Sequence, residues 1–200
     1  MSRDESIVPR LCALTLLAGL AMGATLERQS PAETGMTPMA EQSETMDKEA
    51  AQAFIAQTLP VATAANPKYR SGDAAELSIW LTKSVRFISA ATTRGITVEM
   101  DEQALIFNGG VQTATNTHDV SFALADVQVS EYRYPHDTTE NGEPALGILF
   151  KCNTGKCVRS KWNGAQSSKD QTDLYLYNAA DRARLLKAFE ILKAAAGDHA

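Results

Sequence analysis

Cys152 and Cys157 flank a four-residue polar loop, Asn153-Thr154-Gly155-Lys156, set between the strand-like runs Leu146–Phe150 and Val158–Trp162. A hairpin of that length places the two cysteines opposite each other, close enough to bridge. Redox-active pairs usually have two intervening residues at a helix start. Four residues inside a hairpin fit a structural disulfide better. A zinc site needs further ligands at suitable spacing, and His118, His136 and His199 offer none. For acyl transfer there is no Gly-x-Ser-x-Gly and no legible oxyanion loop. His118-Asp119 and His136-Asp137 are adjacent pairs, which a strand would point to opposite faces. Both read as exposed loop positions. Acidic residues are plentiful enough for glycoside chemistry, but exposed acids usually just solvate a face. Gly109-Gly110 has no helix after it and reads as a turn, not a phosphate loop. The expectation is no catalytic residue, no metal and no cofactor.

A second group could do recognition chemistry. Tyr132, Arg133, Tyr134, Arg159, Lys161, Trp162, Tyr175 and Tyr177 combine aromatic faces with positive charge. If Leu174 and Leu176 point inward, Tyr175 and Tyr177 point out. The set could form a patch for a peptide or glycan; plain cross-strand pairing is the other reading.

Where the chain resides follows from its first residues. Arg3 and Arg10 precede an apolar run of about 14 residues, Leu11–Ala24, against the roughly 20 a spanning helix needs. Basic residues, a short apolar region and small residues at its end describe a signal peptide, residues 1–23, cut after Gly23 or Ala24. Asp4 and Glu5 dilute the basic start, and an uncleaved anchor is the rival. No lipobox precedes Cys12. Export to the periplasm or beyond would remove Cys12 and leave Cys152 and Cys157 in an oxidising compartment. The formal net charge of the chain is −5, and the removed segment's charges cancel. That balance gives no footprint for nucleic acid. No integral membrane span is expected after cleavage.

The elements follow in order. Residues 24–45 are rich in Glu, Gln, Ser, Thr and Pro and read as a disordered linker. Residues 46–92 read as helical. Ala50, Ala53, Phe54 and Ala56 give a short stripe from Met46 to Leu59, stopped by Pro60. Asp73-Ala-Ala-Glu76 matches a capping box ahead of a helix over Asp73–Ala91, with Leu77, Trp80, Leu81, Ser84, Val85 and Ile88 at helical spacing. From Gly95 the period becomes 2. Ile96–Met100 and Ala104–Phe107 read as strands around an Asp101-Glu102-Gln103 turn. Val111–His118 is a loop or an edge strand. Val120, Phe122 and Leu124 share a face. Val127 and Val129 open a strand in which a bulge at Glu131 would bring Tyr132 and Tyr134 inward. Pro135–Pro144 is a charged loop. Asn178 caps a last helix reaching Gly197, with Leu185, Phe189, Leu192 and Ala196 as its apolar stripe.

About seven strands closed by one terminal helix resemble a pleckstrin-homology-like (PH-like) domain over 95–197. Asp119–Asp126, the Lys151–Cys157 segment and Asn178–Phe189 are similar to exported bacterial proteins of unknown function with that fold. The resemblance implies an α+β architecture: a bent antiparallel seven-stranded barrel or sandwich capped by its C-terminal helix. It also implies a non-enzymatic binding or accessory role in the envelope, engaging a protein or peptide. Inositol-lipid-binding members carry Lys and Arg in the first turn, where this chain has Asp101-Glu102-Gln103. An envelope hydrolase is the alternative.

Overall fold

The computed structural model describes residues 46–89 and 95–197. The signal peptide and linker expected over 1–45 lie outside the described residues. The order of elements is α1 (Lys48–Ala64), β1 (Tyr69–Ser71), β2 (Leu77–Ser89), β3 (Ile96–Asn108), β4 (Val111–Ala123), a 3-10 turn (Leu124–Asp126), β5 (Val127–Thr139), β6 (Pro144–Cys152), β7 (Val158–Trp162), β8 (Ala165–Lys169), β9 (Gln171–Tyr175) and α2 (Ala179–Gly197). This is an α+β fold with one antiparallel sheet of nine strands, in the order β8-β7-β4-β3-β2-β1-β5-β6-β9. Nine strands replace the seven read from the sequence. The two edge strands, β8 and β9, are chain neighbours separated by Asp170 alone. The sheet must therefore curl until its edges meet at that residue, although no ladder joins β8 to β9 and the sheet stays open.

The largest correction concerns residues 73–91. The described ones, 73–89, form no helix; β2 pairs with β3 from Leu77↔Phe107 to Ser89↔Ile96. A bulge explains the misreading. Thr82 pairs with Glu102 and Ser84 with Asp101, leaving Lys83 as the extra residue. The extra residue moves the inward set from Trp80 and Thr82 to Val85 and Phe87, so the spacing along one face is 2, 3, 2. Apolar residues placed that way imitate a 3.6 period. Over its described residues, the helical segment assigned to 46–92 is thus one helix followed by two strands.

Four shorter corrections follow. Asp101-Glu102-Gln103 lies within β3, where it pairs with Asp119, His118 and Thr117. Of the two readings of Val111–His118, the strand holds, and residues 135–139 of the expected 135–144 loop extend β5 to Thr139. There is no bulge at Glu131, because β5 and β6 stay in register from Val127↔Cys152 to Arg133↔Leu146. Pro60 does not stop α1, which runs on to Ala64. Its N-cap is Asp47, whose carboxylate accepts from the Ala50 N–H at 2.8 Å.

Two helices cover one face of the sheet. Ala51, Ile55, Leu59 and Ala62 of α1 and Leu185, Ala188, Phe189 and Leu192 of α2 share a core with Val98, Met100, Val120, Phe122, Ile148 and Phe150. Asn178 caps α2, accepting from the Ala180 and Asp181 N–H groups at 2.9 and 3.1 Å. Arg182, which the sequence places away from the apolar stripe, is buried. It donates to the Leu176 carbonyl at 2.9 Å and to Glu131 at 3.2 Å, pinning α2 to β9 and β5. Cys152 and Cys157 lie at bonding distance with their Cα atoms 5.7 Å apart, compatible with a disulfide. Among the described residues no helix is long and apolar enough to cross a membrane.

Candidate functional site

Curling the sheet brings the β2–β3–β4 half against the β5–β6–β9 half, and a cavity of about 380 Å³ opens between them. The bulge at Lys83 leaves Trp80 and Thr82 on its wall. Direct cross-strand pairing then puts Glu102 beside Thr82 and His118 beside Glu102. From the other half come Tyr132, Tyr134, Asp173 and Tyr175.

The aromatic rings are layered. Tyr134 stacks on Tyr175 at 4.0 Å between centroids, and Tyr175 stacks on Trp80 at 6.1 Å. Trp162 lies behind, 5.6 Å from Trp80 and 5.4 Å from the His118 ring. Such contacts stabilise beyond simple burial, by about 0.5–1.5 kcal/mol per pair. Gly147 makes room for this layer: it pairs with Tyr132 on one side and Tyr175 on the other and contributes no side chain.

Two carboxyl groups sit among the rings. Glu102 Oε2 lies 2.9 Å from His118 Nδ1, and His118 Nε2 lies 2.8 Å from Ser160 Oγ. All three residues are buried. The Tyr134 hydroxyl donates to Asp173, and the Tyr175 hydroxyl to Asp137. Burial raises both carboxyls above the ordinary carboxylate range. The His118 contact acts against that for Glu102, and the Tyr134 hydrogen bond acts against it for Asp173. Burial also pushes the Tyr134 and Tyr175 phenols well above their usual range, so they stay neutral hydrogen-bond donors. Thr82 Oγ1 is buried in the wall and has no hydrogen-bond partner among the described residues.

The sign of the pH effect follows from these shifts. A carboxyl raised in the folded state binds its proton more tightly there than in the unfolded chain. Its contribution to stability is fully present below the unfolded value, roughly pH 4, and is lost as pH rises through the raised value. Asp173→Asn removes one such group and keeps an acceptor for Tyr134. Urea midpoints should therefore show the variant gaining on the wild type as pH rises from acid to neutral. A difference independent of pH would contradict the raised carboxyl.

The residues singled out for recognition divide. Tyr132, Tyr134 and Tyr175 line the cavity, and Trp162 supports its wall. Arg133 is exposed on β5, and Tyr177 is exposed with its hydroxyl donating to Glu143. Arg159 and Lys161 lie on the outer face in a more open depression of about 560 Å³. The charges there answer one another: Arg86 is 3.4 Å from Glu99, and Lys161 is 3.7 Å from Asp119. Exposed pairs of this kind contribute little. His118, read as a loop residue, is a buried mid-strand histidine. Trp80, Thr82, Glu102 and Asp173 were not singled out. The signal for Trp80 and Thr82 was there: with Ser78 they alternate with Leu77, Ile79 and Leu81, a strand pattern up to the bulge. Among the described residues no group of three His, Cys, Asp or Glu is placed to hold a metal ion.

Compared with known family models, curated proteins and solved structures, the chain matches none.

Proposed function

We propose that this is an exported, non-enzymatic binding domain of PH-like type, periplasmic or secreted, that engages a protein or peptide through the cavity between the sheet halves. The observation that carries the reading is the cavity wall: stacked rings, the buried Glu102 and half-buried Asp173 carboxyls and an unpartnered Thr82 hydroxyl in one concave site. Concave, largely aromatic sites with a few convergent polar groups are how proteins take small groups. The PH-like assignment is supported by a strongly curled antiparallel sheet ending in a docked helix; nine strands depart from it. Strand addition beside the cavity has support too. β7 pairs with β4 only over His118–Ser121, so Val111–Thr115 has no ladder on that side. The test is affinity capture from an envelope extract with the chain as bait. A partner held by the wild type and lost with Tyr132→Ala supports the reading; a partner held equally by both places the contact elsewhere.

A second reading, hydrolysis, is favoured by the Glu102–His118–Ser160 chain, whose contacts would let His118 take the Ser160 proton. Against it, Ser160 is 3% exposed, and burial favours a neutral Glu102 that would not stabilise an imidazolium. A fluorophosphonate probe decides: an adduct on Ser160 would replace the binding reading with an acyl-transfer one.

A further inference from the structure

Resting on that binding reading, we propose that the cavity takes a cation, the ammonium or guanidinium group of a basic side chain, against the Trp80 and Tyr132 rings and beside the Glu102 and Asp173 carboxyls. Three independent features converge. Ring faces attract cations, most strongly where water is excluded, and the half-buried rings of Trp80 and Tyr132 line the cavity. The carboxyls reach the site from opposite halves of the sheet, Glu102 on β3 and Asp173 on β9. Thr82 Oγ1, buried and unpartnered, is an acceptor for an N–H donor. A cavity of about 380 Å³ suits a side chain and not a folded surface.

The charges facing the site from every element make the proposal specific. Glu102 faces His118 from β4; Asp173 faces Tyr134 from β5; Asp137 stands behind Tyr175; and Lys169, exposed at the end of β8, is the one cation on the lining. Lys169 would repel a cationic guest and anchor an anionic one. A cation that settles beside the carboxyls favours their ionised forms, so binding releases protons and tightens with pH, by up to roughly tenfold per pH unit for each proton released.

The experiment is calorimetric titration of the full chain with Nα-acetyl-lysine methylamide, and with the norleucine analogue as an uncharged control of similar shape. The lysine compound is expected to bind roughly tenfold more tightly, a difference of about 1.4 kcal/mol, with affinity rising as pH rises above the ordinary carboxylate range. Asp173→Asn should flatten the pH dependence, and Lys169→Met should strengthen binding. Equal binding of both compounds overturns the cation and leaves the cavity as a binding site. Weaker binding by Lys169→Met overturns it in favour of an anion. Binding of neither compound overturns the cation as well, whereas the binding-domain reading is judged separately by the capture experiment.

Discussion

Gly147→Ala should cost about 3 kcal/mol or more of stability and abolish the cavity, a large effect for one methyl group. The expectation rests on space and not on backbone angles, since Gly147 sits in a regular strand. A β-carbon there would overlap the Leu174 carbonyl oxygen, come within 2.9 Å of the Leu174 carbonyl carbon and lie 3.1 Å from the Tyr134 hydroxyl. The obstacle is main chain, which cannot swing aside as a side-chain tip can. Overpacking in a well-filled interior typically costs 1–3 kcal/mol, and here relief requires β6 and β9 to part. That separation would break the pairing of Gly147 with Tyr175 and Ile148 with Leu174. The Tyr134–Tyr175 stack would open with it. Denaturant melts give the cost, and tryptophan emission reports the change around Trp80. A variant with wild-type stability would show that the β6–β9 contact is looser than described.

Phe150→Ala should cost about 3–5 kcal/mol, the usual range for a large aromatic removed from a filled core. Phe150 is fully buried. Its ring lies 4.8 Å from that of Phe122 and 4.9 Å from that of Phe189. It is the point where β4, β6 and α2 touch one another, so its loss leaves a void that none of the three can fill alone. Phe150→Leu should recover most of the loss, because it restores volume without the aromatic contacts. A cost below about 1 kcal/mol for Phe150→Ala would mean that α2 collapses into the gap, an outcome that truncation series allow only where the surroundings can relax.

The parts of the fold legible in the sequence were those with an unbroken local pattern. Leu185, Phe189, Leu192 and Ala196 repeat along one helix face behind an Asn178 cap, and α2 follows them. The alternation of Ile96, Val98 and Met100 likewise marks β3. Reading failed where tertiary context overrode the local signal. Lys83, bulged out of β2, made a strand look helical. Glu102, set between Asp101 and Gln103 in a polar run, looked like a turn, yet it points inward while Asp101 and Gln103 face the other way in the same strand. Pro60 looked like a stop, but α1 is held by burial of Leu59 and Ala62 on either side of it. The three tyrosines that line the site, Tyr132, Tyr134 and Tyr175, could be found by their composition. The carboxyls opposite them could not, because nothing local says which strand of a curled sheet will face which.

Asp170 gives that curl a consequence for selectivity. One residue joins the first and last strands of the sheet, so the gap between β8 and β9 is set by a single covalent buckle, while β1 ties β2 to β5 on the far side. Lengthening it by a glycine or two would loosen the collar and admit bulkier guests without altering any residue that meets them. Relatives of this architecture could thus retune what they accept by insertion at one point on the rim, leaving the hydrophobic core untouched.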